Sequence, residues 1–427
     1  MTQETKREKV HQQIFFFSIL GFIVSLPFSM LFNNISIILM ILNWLIEGKW
    51  QYKFQQIKKS PLVFLFTGIY ALYVLSSFYS DNQAEAGFTL EQHLSLFIFP
   101  LILSSSAPLV QSRLKVVYIT FIGTITAAMV ITGILGVLNY YEHNQNTQYL
   151  FYQTLSKTIN LHAVYFSFYV ALSVFFILYF LSQKISLVLK IFLAFLILLH
   201  IFFIILLSSK TIIFALLLTL FFTFIFAGDF IVKSRLVRIT LATVACIGLV
   251  VLVASIPKVK KRFTEAINSQ FAFIDKKEYG ELTRWTGPQI RYVKWKFITE
   301  ILNEHNAWPF GVGIGDGYDL LRKKSAKNGL FEGNKARGWH DYAGYNAHNQ
   351  FFQYLLYIGI IGVSLFVITL FFCFRKAIHH KSYIYLSFLV IFLLFCMTES
   401  VLSSQKGIVF FAFFNAFFAF HPPPQDK

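Results

Sequence analysis

Apolar residues run along this chain in long blocks, separated by short polar turns. A helix needs about 20 mostly apolar residues to cross a bilayer. Twelve blocks qualify, some of them short: residues 14–32, 34–47, 61–80, 90–109, 115–139, 162–182, 187–207, 211–228, 237–256, 347–374, 381–398 and 406–421. None alternates with a period of two. Lipid tolerates only helices or closed barrels, so the unbroken runs select helices. The second block is short and follows Asn33-Asn34, so the first two are expected to form a hairpin about a tight turn there. The first block lacks a small-residue cleavage site and reads as a retained span.

One segment breaks the rhythm. Residues 257–346 are polar and too long for a connector, and such loops are usually functional. Within it, Val259, Phe263, Ile267 and Phe271 recur at helical spacing, as do Ile290, Val293, Phe297 and Ile301. Both stretches predict amphipathic helices, over Pro257–Phe273 and Gln289–Glu304, lying on a membrane surface or capping the bundle. The chain thus divides into helices one to nine over 1–256, a partly helical loop over 257–346, and helices ten to twelve over 347–427. The expected fold class is an all-α polytopic membrane protein. No internal repeat suggests the inverted halves of a transporter.

Composition agrees with this. The 427 residues are 56% apolar and 13% charged, against about 25% charged for a soluble chain. That excludes an ordinary cytosolic enzyme and a disordered chain. The net charge of +17 would by itself point to nucleic acid or an anionic surface. Its placement says otherwise. Lys6, Arg7 and Lys9 precede the first block, and Lys or Arg then recur in every second loop, up to Arg375, Lys376 and Lys381. The other short loops hold only Lys157, Lys210 and Lys406. By the positive-inside rule both termini are cytoplasmic and the large loop faces out. Most of the excess is therefore a topology signal, and no nucleic-acid partner is implied. The large loop is the exception, with 16 Lys and Arg against 10 Asp and Glu on the face where cations are scarce.

Candidate chemistry gathers on that outer face. His348 stands where the large loop enters the tenth helix. The positive end of a helix dipole favours neutral imidazole, which suits a general base, although an interfacial His beside an N-cap fits equally. Lys210, after Ser208-Ser209, opposes the positive-inside rule. A phosphate or anionic headgroup would explain it, and so would snorkelling. Arg291 and Trp295 share a helix face, and Arg284 precedes Trp285. Arg forks match phosphate oxygens, and Trp suits a sugar face or a membrane interface. A solvated charge is the plainer reading for either Arg. His93, His162 and His200 lie in or near spans and are candidates on that ground; mid-span His200 reads as a helix–helix hydrogen-bonding residue. Gly311-Val312-Gly313-Ile314-Gly315 lacks the strand and the Lys-Ser/Thr of a P-loop. Its glycines are expected to let the loop pass close to the membrane or a ligand. The three Cys are isolated, no zinc spacing of His occurs, and no metal site is expected.

His348-Asn349, then Gly359 and Gly362, resembles the signature of the O-antigen ligase and polymerase superfamily. The glycine turn 311–315, the Arg291-to-Trp295 helix and Ser208-Ser209-Lys210 are similar to further motifs of that family. The resemblance extends to the span count and the large outer loop. It implies a cofactor-independent, metal-independent, inverting glycosyltransferase at the periplasmic face of a bacterial inner membrane. The implied donor is a glycan on undecaprenyl pyrophosphate, and the implied acceptor is a sugar hydroxyl of lipid A-core or another glycan. His348 would be the base. Arg291 and Lys210, with Arg284 in support, would hold the pyrophosphate. Asn349 and Glu399 would support these groups, Glu399 beside His348 or a sugar hydroxyl. Lys210 departs from the family's usual Arg and cannot offer a bidentate fork. No residue separates ligase from polymerase, and a transporter is the remaining alternative.

Overall fold

A computed structural model describes residues 6–106, 111–227, 233–268, 279, 285–330 and 342–421. Among these, all regular structure is helical. The first half holds α1 (Lys6–Ser25), α2 (Met30–Glu47), α3 (Trp50–Lys58), α4 (Pro61–Ser77), α5 (Gln83–His93), α6 (Ser95–Ser105) and α7 (Gln111–Glu142). Then follow α8 (Tyr152–Ser156), α9 (Ala163–Leu181), α10 (Leu187–Leu207), α11 (Lys210–Ala227) and α12 (Arg235–Ser255). The polar segment contributes α13 (Pro257–Ile267), α14 (Gly287–Glu304) and α15 (Gly317–Lys327). The chain closes with α16 (Gln350–His379), α17 (Tyr383–Cys396) and α18 (Gln405–Phe420).

Every predicted apolar block contains helix, although not every one meets the length and composition needed to cross a membrane by itself. Among the described residues, seven helices are long and apolar enough to cross a membrane, or eight if α3 and α4, bent by 89°, form one span. The others fall short for identifiable reasons. Helix α1 opens with Lys6, Arg7, Glu8 and Lys9. Helices α11, α17 and α18 are apolar but short; at 1.5 Å per residue, the 14 residues of α17 cover only about 21 Å. The first hairpin also turns earlier than expected. Pro27 interrupts the helical bonding, and the Ser29 side chain accepts from Phe32 N–H to start α2. Asn33 lies inside α2, where its Nδ2 donates to Phe22 O at 3.0 Å and pins the hairpin.

The bundle is organised around α18. Residues 407–419 of that helix are all buried, and it packs against α6, α16 and α17. Much of the core is phenylalanine, with Phe392 stacked on Phe411 at 3.8 Å between ring centroids. Such ring pairs add geometric specificity where apolar burial alone discriminates little against lipid. His200 joins α10 to α9: its Nε2 lies 3.1 Å from Ser173 Oγ and its Nδ1 is 2.7 Å from Leu196 O. It is the helix–helix hydrogen-bonding residue expected from its mid-span position.

Helix α14 caps one end of the bundle with Ile290, Val293, Phe297, Ile298, Ile301 and Leu302 buried. In α13, Val259 is buried and Phe263 packs on the core, whereas Ile267 is 79% exposed. Phe271 lies outside the described residues. Helix α15 was not anticipated. Fully buried Lys294 of α14 donates to Ser325 Oγ of α15 at 2.7 Å and to Ala343 O at 2.8 Å, which fixes the approach to α16.

The two glycine runs meet. Gly359 (φ 65°, ψ −166°) breaks α16 from within. That break frees the N–H groups of Ile360 and Ile361 and the carbonyls of Leu356 and Tyr357. Segment 308–313 takes up all four. Ile360 N donates to Trp308 O at 2.8 Å and Ile361 N to Pro309 O at 3.2 Å. Val312 N donates to Leu356 O at 2.8 Å and Gly313 N to Tyr357 O at 3.1 Å. A Cβ on Gly311 would stand 2.5 Å from Ile358 N, and one on Gly359 2.3 Å from Pro309 O. The glycines thus permit backbone-to-backbone contact across the break.

Candidate active site

The turn between α17 and α18 presents Thr398 and Glu399 to three other elements. Glu399 is the hub. Its Oε2 lies 2.7 Å from His348 Nδ1, and its Oε1 accepts from Arg291 Nη2 at 2.9 Å. Arg291 Nε donates to Thr398 O at 2.9 Å, so the guanidinium grips the turn at two points. Thr211, next to Lys210 at the start of α11, meets Thr398 through their hydroxyls at 2.8 Å. Three segments distant in sequence thereby converge on one turn, two of them on its carboxylate.

Local structure explains how His348 is held. Asn349 caps α16, with its Oδ1 accepting from Phe351 N at 2.9 Å and Phe352 N at 3.2 Å. Its Nδ2 donates to Met397 O at 3.1 Å, which ties the cap to the Glu399 turn. His348 precedes the cap in a left-handed conformation (φ 46°). Its N–H donates to Asn346 Oδ1 at 2.9 Å. Non-glycine residues enter this region at a cost of about 1 kcal/mol, and such residues cluster at functional sites. Trp295 supports the same segment: its Nε1 donates to Ala347 O at 2.8 Å, and its ring stacks on Phe352 at 4.9 Å. Trp295 is therefore a brace beneath His348, and its stacked face lies against Phe352 where sequence reading placed a sugar or a membrane interface.

Electrostatics set the roles. Burial by itself pushes the Glu399 carboxyl up. The His348 ring, then Arg291 and His162, outweigh it and hold the group at about 2. Glu399 is thus ionised at working pH and can only accept hydrogen bonds. His348 Nδ1 must carry the proton in that contact, so Nε2 is the nitrogen that can take up or give a further proton. An oriented imidazole with a free acceptor nitrogen is the geometry of a general base.

Of the residues anticipated from sequence, His348, Asn349, Arg291 and Glu399 are brought together. Lys210 joins them more loosely. Its Nζ donates to Arg262 O at 3.2 Å, and it lies within charge range of Arg262, Arg291 and Glu399. Arg284 lies outside the described residues. Sequence reading missed Arg262 and Tyr345. The Tyr345 ring stands 5.3 Å from His348, edge to face. Arg262 hides in the basic run Lys258, Lys260, Lys261, Arg262, where nothing in the pattern sets it apart.

A multi-pass helical bundle with a His–Glu–Arg cluster at the mouth of a broken helix defines the class: a membrane protein with a polar site at one end of its helices. Residues 193–367 match the family described as O-antigen ligase. That match covers less than half of the chain; it supports the O-antigen ligase superfamily and a membrane glycosyltransferase-like enzyme. No curated protein matches the chain. The matched segment runs from within α10 through Lys210, Arg291 and His348 into α16.

Proposed function

We propose that the protein transfers a glycan from undecaprenyl pyrophosphate to a sugar hydroxyl of lipid A-core at the periplasmic face of the inner membrane. The observation that carries this reading is His348 Nδ1 against the ionised Glu399, with Arg291 on the other carboxylate oxygen. In the proposed step, His348 Nε2 takes the proton of the acceptor hydroxyl. The acceptor oxygen forms a bond to the anomeric carbon as the bond from that carbon to the pyrophosphate oxygen breaks. The electron pair leaves with the pyrophosphate, and backside attack inverts the anomeric centre. Glu399 orients His348 and balances the imidazolium that forms. Positive charge from Lys210 and Arg291 favours the departing anion.

The test uses purified full-length protein, a lipid-linked glycan and lipid A-core in vesicles. His348→Ala abolishes transfer while the protein remains folded in the membrane. Wild-type transfer by that variant would remove the base from the mechanism. The products also separate the alternative activity of the same family. Glycan joined to lipid A-core marks a ligase, whereas longer chains still on the polyprenyl carrier mark a polymerase. Solute movement without cleavage of lipid-linked glycan would mark a transporter.

A further inference from the structure

The end of α16 opposite His348 borders a polar cavity of about 950 Å³, open to the outside. That volume lies within the roughly 300–1,000 Å³ of small-ligand sites. The α3–α4 corner, where the chain bends by 89°, brings Lys59 and Ser60 to it. The end of α16 brings Arg375 and Lys376, and the ends of α6 and α18 complete the wall. Among the described residues no Asp or Glu lines the cavity, and no ion pair joins these three cations to a carboxylate. Lys59 and Arg375 are exposed, and Lys376 is half-buried with its Nζ 4.7 Å from the centroid of the Phe420 ring. An ammonium over a ring face is held in place without a counter-ion. Ser60, the N-cap of α4, makes no side-chain cap bond, and the positive end of that helix dipole meets the same space. The dipole of α16 accounts for Lys376 at its C-terminal end. It does not account for Lys59, which arrives on another element, or for the cavity between them.

Helix α3 sets the depth of this cavity. It lies nearly at right angles to α4 and so runs across the end of the bundle. Its Trp50, Tyr52 and Phe54 are exposed, while buried Lys53 pairs with Glu47 at 2.9 Å. Exposed aromatic rings beside lysines on such a helix are the composition of a membrane interface. The cavity therefore stands at the level of lipid headgroups, with Phe372 and Leu103 adding apolar surface to its wall.

We infer that this cavity binds a phosphate group, presented by the headgroup of an anionic phospholipid. The site is separate from the Glu399 cluster and does not rest on the transferase reading. Arg375 offers a fork to the phosphate oxygens, and Lys59 and Lys376 supply point charges. A zwitterionic headgroup brings a cation of its own, which three cations repel, so the cavity discriminates by net charge. The apolar wall meets the first methylenes of the acyl chains. A lipid seated there ties the in-plane helix α3 to the end of α16, the helix whose other end carries His348.

The experiment uses full-length protein freed of lipid in detergent and reads displacement of a fluorescent phosphatidylglycerol. The competitors are dioctanoyl phosphatidylglycerol, dioctanoyl phosphatidylcholine and inorganic phosphate. Phosphatidylglycerol binds about tenfold or more tighter than phosphatidylcholine. The double variant Lys59→Gln/Arg375→Gln changes two exposed side chains, so its thermal midpoint without lipid stays at the wild-type value. Its affinity for phosphatidylglycerol falls about tenfold to thirtyfold. The control Lys184→Gln/Lys190→Gln removes the same charge from exposed positions at the α9–α10 turn and leaves that affinity unchanged. Equal losses in the two variants would mean diffuse surface charge and overturn the site, as would wild-type affinity in Lys59→Gln/Arg375→Gln. Inorganic phosphate that competes as well as the phospholipid overturns the headgroup as the source and assigns the site to a soluble anion. Competition by the phospholipid alone supports the headgroup.

Discussion

Replacing Glu399 with Gln keeps the shape of the side chain and removes its charge. Three partners feel the change. The Gln oxygen can still accept from either Arg291 or His348, but not from both as an anion does. If its amide nitrogen faces His348 instead, it donates to Nδ1 and selects the wrong tautomer. The wild-type carboxyl falls from an ordinary 4.5 to about 2. At roughly 1.4 kcal/mol per pH unit, that is about 3 kcal/mol of preference for the ionised form. The sign follows from the depressed value. The stabilisation is fully present above about pH 4.5 and is lost as pH falls toward about 2. Glu399→Gln therefore lowers the thermal midpoint at neutral pH by an amount equivalent to about 3 kcal/mol at most. It also flattens the further loss that wild type shows between about pH 4.5 and 2. Turnover falls on the order of a hundredfold to ten-thousandfold, the range seen when a base loses its orienting carboxylate. The assays are glycan transfer from a lipid-linked donor and thermal unfolding in detergent across pH. A variant with wild-type turnover and a wild-type acid limb would refute the reasoning.

Two further substitutions probe the scaffold. Gly359→Ala places a Cβ 2.3 Å from Pro309 O at φ 65°, and is expected to cost roughly 3 kcal/mol or more; an unchanged thermal midpoint would contradict it. Asn349→Ala removes the cap of α16 and the bond to Met397 O. It should cost about 1 kcal/mol in stability and slow transfer at unchanged donor affinity, measured side by side with Asn349→Asp, which restores the cap alone.

The helices were legible because each is an uninterrupted apolar run, and periodicity needs no tertiary partner. The first turn was misplaced because Leu26-Pro27-Phe28-Ser29 is nearly as apolar as its flanks, while Asn33-Asn34 advertises polarity yet serves inside α2. The count of twelve spans was read from hydropathy, which records composition, whereas crossing alone also asks for length, which α11, α17 and α18 lack. His348, Lys210 and Glu399 stood out as titratable groups at the ends of apolar runs, and Arg291 as a cation sharing a helix face with Trp295 inside the polar segment. That Glu399 is shared between two of them could not be read from positions 291, 348 and 399. Arg262 was invisible for the opposite reason: its neighbours carry the same charge, and only its packing on Tyr152 distinguishes it. Trp295 was read by residue type, and its partner Phe352 lies in another helix.

The backbone pairing of segment 308–313 with the break in α16 makes two distant stretches of chain inseparable. A helix interrupted at Gly359 cannot settle among apolar surroundings with four peptide groups unpaired. It must wait for residues that were synthesised some fifty positions earlier to dock on it. Chimeras that exchange the loop alone, or α16 alone, between relatives would mismatch this seam. An exchange that retains function has to carry both glycine runs as one cassette, from the turn before α15 through the first turns beyond Gly362.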